Sequence, residues 1–193
     1  MNKPVLMIHE VDEKMFDLPL ENYVLTFDDG LYTQYLYRKE FQKFKTPKIY
    51  FISTNILAMG TQSAEFITCR EAHQKAFAGD KSNYMNLEQV RDLMNDPYTT
   101  IGGHSHNHKR LDQLDSIVDK IYHMKMDTEL MLAWFDSNLN YRPTQFCFPY
   151  NEDPYGLYKL ILEKQGFTEF HGHERIPIET LLHDASQPAS HDA

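Results

Sequence analysis

The sequence predicts an α/β protein built on a mostly parallel sheet or barrel. Short apolar runs of strand length alternate with helical patterns along the chain. Polar, chemistry-bearing clusters follow directly after those runs, at the carboxyl ends of strands, where a parallel sheet or barrel carries its functional groups. Length and composition agree: 193 residues, 41% hydrophobic and 24% charged, describe an ordinary globule of about one domain.

Val5 to His9, Tyr23 to Phe27 and Lys48 to Ser53 are apolar runs bounded by turn residues, and each predicts a buried strand. Between the second and third, Arg38 to Phe44 reads as a helix, with Tyr35, Leu36, Phe41 and Phe44 at helical offsets. Leu57 to Tyr84 keeps no clear period and is interrupted by Gly60 and Gly79, the pattern of an insertion over one face. Asn86 offers an N-cap for a helix carrying Leu87, Val90 and Leu93, which Asn95-Asp96-Pro97 ends. Thr99 to Gly102 is a strand running into Gly103-His104. Leu114 to Ser137 is the longest helical pattern, with Leu114, Ile117, Val118, Ile121, Met124, Leu130, Met131, Trp134 and Phe135 mostly on one stripe. Thr144 to Phe148 is a strand. Asp153 then caps a helix with Pro154 at its first position, Leu157, Leu160 and Ile161 inward, and Gly166 as its stop.

A chain of this size buries roughly 70% of its unfolded surface, so it folds without disulfides or a structural metal. Any bound metal is then expected to be functional. The 19 basic against 28 acidic residues leave a net charge of −9, which repels phosphate backbones and argues against a nucleic-acid partner. The two cysteines, Cys69 and Cys147, are too few for a disulfide framework or a cysteine zinc site and read as small, partly buried thiols. The longest apolar run, Leu130 to Phe135, has six residues, so no membrane span is expected, which would need about 20. Val5 to Ile8 is shorter than the core of a secretory leader, about 7 to 15 residues. As written, the chain is expected in the cytoplasm, with a phage-encoded product as the other setting. Oligomeric state leaves no readable mark.

Three clusters can carry chemistry. Thr26-Phe27-Asp28-Asp29-Gly30 sets adjacent carboxylates at a strand-to-loop corner. If extended geometry persists, they point to different sides, so that one can bind a metal while the other acts as a base. The plain alternative is a polar turn. In His104-Ser105-His106-Asn107-His108 the outer histidines are four apart, which on one helical turn brings both imidazoles to one face, a spacing that suits zinc or a neighbouring ion. The same spacing also occurs on polar helix faces. His106 cannot share that face and is expected behind the site or on the surface. Asp29 with His104 and His108 forms a two-histidine, one-carboxylate set with open positions, a catalytic rather than structural pattern. Phe146-Cys147-Phe148-Pro149-Tyr150 closes a strand and turns, and can aim the Tyr150 backbone N–H at an oxyanion. Arg175 and His183 lie near late apolar runs, where a surface position is the ordinary reading.

These motifs, in this order, resemble the polysaccharide deacetylase family, carbohydrate esterase family four, with its NodB-homology fold. VLMIHEV at 5–11 is similar to the opening strand, YVLTFDDG at 23–30 to the first motif, IGGHSHNHKRL at 101–111 to the second and FCFPYN at 146–151 to the third. The resemblance implies a distorted, incomplete (β/α) barrel forming one catalytic domain over 1–184, with 185–193 as a flexible tail. It implies a divalent metal, zinc first and Co2+, Ni2+ or Mn2+ as alternatives, held by Asp29, His104 and His108. Asp28 would then be the base, and an N- or O-linked acetyl group on a carbohydrate, in the first place an N-acetylglucosamine-containing glycan, the substrate. In the family's third motif an Arg often stands two residues before the Pro, where this chain has Cys147. A branch without that Arg carries one late in the chain before an Ile-Pro-hydrophobic run, which Arg175-Ile176-Pro177-Ile178 resembles, so Arg175 is the expected substitute. Leu181-Leu182-His183-Asp184 resembles the family's last motif, which makes His183 a candidate acid for the leaving group, with Asp28 itself as the alternative. The other functional readings are a deacylase or deformylase of a small-molecule or glycolipid amide, and a carbohydrate-binding relative without turnover.

Overall fold

A computed structural model describes residues 3–186. Its strands are β1 (Val5–Ile8), β2 (Val24–Phe27), β3 (Lys48–Ile52), β4 (Thr99–Gly103), β5 (Gln145–Cys147), β6 (Glu169–His171) and β7 (Ile176–Pro177). Its helices are α1 (Tyr32–Leu36), α2 (Arg38–Gln42), α3 (Cys69–Phe77), α4 (Leu87–Leu93), α5 (Ile117–Leu139), α6 (Leu157–Lys164) and α7 (Ile178–Ser186). The strands form one seven-stranded sheet in the order β6-β5-β4-β3-β2-β1-β7, every neighbouring pair parallel.

The connection between the two edges forces this sheet to curl. Strands β6 and β7 lie at opposite edges, yet residues 172–175 are all that joins them. The five Cα steps from His171 to Ile176 reach about 18 Å at most, whereas seven flat strands would span about 29 Å. The edges therefore approach across a gap, giving the distorted, incomplete (β/α) barrel that the family resemblance implies.

Period-two alternation sorts the side chains between two layers. Leu6, Ile8, Leu25, Phe27, Tyr50 and Ile52 join the main core beneath the helices. The other face turns inward, where Ile49, Phe51 and Cys147 cluster with Val24. Phe51 fits there because β4 has no side chain at Gly102: a Cβ at that position would lie 2.5 Å from the Phe51 ring.

Several element boundaries differ from the sequence reading. The single helix expected over Arg38 to Phe44 becomes the short α1 and α2, joined at Tyr37. Within the unread stretch from Leu57 to Tyr84 lies α3, started by a capping box in which Thr68 and Glu71 satisfy each other's backbone N–H groups. Helix α5 starts at Ile117 behind the Ser116 cap, and Val118 and Leu130, expected on its apolar stripe, are exposed. Asp127 and Thr128 are buried there instead, because this helix face packs behind the site. Tyr155 adopts φ 58 and breaks the chain after Asp153, so α6 starts at Leu157; its inward residues are Tyr158 and Leu162, while Leu160 is exposed. The Asp153 carboxylate still caps α6 from a distance, accepting from the N–H of Tyr158 at 2.8 Å. Of the expected tail, Ala185 and Ser186 end α7, and 187–193 lie outside the described residues. Among the described residues, no helix is long and apolar enough to cross a membrane.

Candidate active site

Because all strands are parallel, their carboxyl ends share one rim. His9 follows β1, Asp28 and Asp29 follow β2, His104 follows β4, and Phe148 follows β5. These residues line one cavity of about 760 Å3, together with Cys69 and His73 of α3 and Tyr150. An adjoining cleft of about 510 Å3 carries Lys81, Lys109 and Arg110.

Asp28 continues the inward alternation of β2 and meets Arg175 inside the barrel. The guanidinium donates from Nη1 to Oδ1 at 2.7 Å and from Nη2 to Oδ2 at 2.8 Å, a bidentate pair with both residues buried. Arg175 stands in the short β6–β7 connection, so the link that curls the sheet also carries the cation to Asp28. Its Nη1 also donates to Thr26 Oγ1 at 3.0 Å, and its Nη2 lies 3.0 Å from Cys147 Sγ. The small Cys147 side chain leaves room for this guanidinium. Burial alone would raise the Asp28 carboxyl, but the charge and hydrogen bonds of Arg175, with smaller help from His9 and His104, hold it below its ordinary range.

Asp29 does not extend the strand. Its φ of 74, followed by φ 80 at Gly30, turns the chain, so the two carboxylates separate through a left-handed turn rather than through the strand alternation expected. The histidine segment also departs from its expected helical turn. Ser105 (φ 68) and His108 (φ 50) are left-handed, which folds the segment into a tight loop. Asp127 of α5 accepts from the backbone N–H groups of His106 and Asn107 at 2.5 and 3.0 Å, and Ser105 Oγ accepts from the His108 N–H at 2.9 Å. His106 turns behind the site, its Nδ1 2.7 Å from Thr54 Oγ1. The loop still brings His104 and His108 together, with Nε2 atoms 3.2 Å apart.

Both rings close on Asp29 Oδ1, at 3.1 Å for His104 Nε2 and 2.9 Å for His108 Nε2. Burial would raise the Asp29 carboxyl, but His108, His104 and His73 hold it well below its ordinary range. His104 Nδ1 lies 2.8 Å from the Cys147 carbonyl, which can only accept, so Nδ1 carries the hydrogen. Nε2 is then the ring atom turned to Asp29 Oδ1, an atom that is buried without a hydrogen-bond partner. A carboxylate oxygen and two imidazole nitrogens converging on one buried point fit a cation, and together they are a donor set for a divalent ion. Two further groups are close enough to hold one: Asp28 with His104 and Cys147, and Asp29 with Cys69 and His73. The first is already filled by the Arg175 guanidinium.

Three further residues that line the cavity, His9, Cys69 and His73, escaped the sequence reading of the site. His9 Nε2 is 3.7 Å from Asp28 Oδ2, with its side chain 30% exposed toward the cavity. Burial lowers its pKa, but Asp28, Asp29 and Glu10 together raise it above the ordinary histidine value. Its strand register held the signal: Ile8 pairs with Phe27, so the next residues, His9 and Asp28, are neighbours. Cys69 and His73 come from α3, spaced four apart on one helix face. Tyr150 (φ 55) stands at the cavity edge with its ring 4.7 Å from that of His108. Burial pushes its phenol up to about 12. His183 lies elsewhere: it is on α7 rather than at a strand end, its side chain is 69% exposed, and it does not line the cavity.

No protein-family profile matches this sequence, and no curated protein matches it. Solved structures do. IcaB from Ammonifex degensii superposes with a TM-score of 0.68 at 16% identity, over 92% of this chain and 85% of that one. The Streptococcus pyogenes deacetylase PplD, solved in complex with acetate, gives 0.65 at 15% identity, over 97% and 99%. A polysaccharide deacetylase from Bacillus cereus gives 0.62 at 10% identity, over 92% and 65%. The chain therefore has the fold of the NodB-homology polysaccharide deacetylases.

Proposed function

We propose that this chain is a metal-dependent hydrolase that removes N- or O-linked acetyl groups from a carbohydrate, with an N-acetylglucosamine-containing glycan as the first candidate. One observation carries the reading: a carboxylate fixed by a buried guanidinium stands beside an acid and two imidazoles that converge on one point, at the base of an open cavity. Asp29, His104 and His108 would hold the ion, for which zinc fits the nitrogen and oxygen donors. A bound divalent ion lowers the pKa of a water and polarises the acyl carbonyl.

The chain's own groups supply the remaining steps. Asp28 is ionised throughout the neutral range and takes the proton of the attacking water. Arg175 keeps that carboxylate oriented and charged. The Tyr150 backbone N–H helps hold the oxyanion of the tetrahedral intermediate. His9, with its raised pKa, gives its proton to the departing nitrogen or oxygen, and acetate leaves from a free amine or hydroxyl. This assigns to His9 the proton delivery for which the sequence reading offered His183, with Asp28 as the alternative.

The test is acetate release by metal-replete protein across acetylated chitin, peptidoglycan and xylan fragments. Release from at least one supports the reading. Glycan binding without any acetate release would replace it with a binding protein.

A further inference from the structure

We propose that the cleft beside the cavity binds an anionic substituent, a carboxylate or a phosphate, on the glycan unit next to the one that is deacetylated. The inference deepens the reading given above and rests on it. The cleft, of about 510 Å3, continues the active-site cavity: Phe77, His108, Arg110, Gln113 and Tyr150 line both. A glycan longer than one unit, with its acetyl group in the cavity, therefore reaches into the cleft. The chain carries 28 acidic against 19 basic residues, yet the cleft lining holds three cations, Lys81, Lys109 and Arg110, and no carboxylate. An acidic ligand is repelled by the net charge and drawn to this one place.

The three cations differ in what they are free to do. Arg110 is held: its guanidinium donates to Asp112 at 2.6 Å, lies 3.4 Å from Glu152 and covers the Tyr150 ring at 4.7 Å. Two carboxylates thus offset its charge. Lys81 donates to a neutral group, the Asn55 carbonyl oxygen, at 2.5 Å. Lys109 is exposed, and among the described residues neither lysine has a carboxylate within ion-pair distance. Asp80, next to Lys81 in the chain, accepts instead from the Ser82 N–H at 3.0 Å. Two ammonium groups without a counter-charge are point charges that an anion can pair with. Phe77, 58% exposed, and Tyr150 give the cleft apolar faces for a sugar ring. A neutral sugar needs only those faces and the amides of Asn55 and Asn107, so the two uncompensated lysines are the feature that calls for a negative charge.

The test compares acetate release from two pairs of glycans by metal-replete wild type and the double variant Lys81→Gln/Lys109→Gln. One pair is peptidoglycan strands freed of peptide, which carry lactyl carboxylates, and the same strands with those carboxyls converted to methyl amides. The other is chitin oligosaccharides with and without phosphate esters. Melting curves establish that the variant folds. In wild type KM is expected to be about threefold or more lower for a charged glycan than for its neutral counterpart, with similar kcat, and that ratio falls toward one in the double variant and at raised salt. A preference within one pair alone supports the inference and names the source of the charge. Equal KM within both pairs, or a preference that the double variant keeps, would overturn the inference and leave the deacetylase reading intact. Release from neutral acetylated xylan alone would do the same. No release from any of these glycans would overturn the deacetylase reading and this inference with it.

Discussion

Replacing Arg175 with Met removes the guanidinium on Asp28 and keeps most of the side-chain length. The pair is bidentate, at 2.7 and 2.8 Å, with Arg175 4% and Asp28 2% exposed, so the carboxylate left behind has little access to water. Breaking one side of such a buried pair costs about 3–5 kcal/mol. For a chain of this length, at about 2–4 °C per kcal/mol, Tm should fall by about 6–20 °C. The double variant Asp28→Asn/Arg175→Met should recover part of that loss, because no buried charge is stranded. The pH dependence should also change sign. In wild type Asp28 sits below its unfolded value, so the pair stabilises at higher pH and that stability is lost as pH falls through the folded-state pKa. Without Arg175, burial dominates and raises the carboxyl above its unfolded value, so acidification becomes stabilising and the acid limb of the rate profile moves to higher pH. Thermal denaturation from pH 4 to 8, with rates over the same range, measures both effects. A variant that melts with wild type, or whose acid limb does not move, would refute the role given to Arg175.

Asp28→Asn should keep its metal yet lose about 10²–10⁴-fold in acetate release, read from metal content and rate on the same preparation. His9→Gln should slow release and remove the alkaline limb of the rate profile: the acid must be protonated, so wild type loses rate as pH rises through the raised His9 pKa. An unchanged limb would move proton delivery elsewhere. Gly102→Ala should destabilise by about 1–3 kcal/mol in chemical denaturation, since its Cβ would meet the enclosed Phe51 ring at 2.5 Å.

The mostly parallel strand arrangement was legible because strands announce themselves by short apolar runs and the polar clusters mark their carboxyl ends; its closure into an incomplete barrel came with the resemblance. Asp28, Asp29, His104 and His108 could be singled out because they sit inside such clusters. The backbone that joins them could not, since it rests on left-handed residues and on Asp127, a helix side chain distant in sequence. Arg175 was visible through resemblance alone; its physical reason is the short connection between the sheet edges, which exists only once the sheet has curled. His9 was read as part of a strand, and its nearness to Asp28 depends on parallel register rather than on local pattern. Cys69 and His73 were hidden because α3 is a short amphipathic helix in a stretch broken by glycines. Its capping box, Thr68 to Glu71, was the local signal available.

The central claim is that an ion gripped by Asp29, His104 and His108 lets Asp28 turn water into the nucleophile. The most direct measurement follows metal content and acetate release together while the ion is stripped by a chelator and then restored, in wild type and His104→Ala. The account predicts that release falls with the ion and returns with it in wild type, and that His104→Ala holds too little metal to recover. Acetate release that persists at full rate in metal-free protein would contradict it.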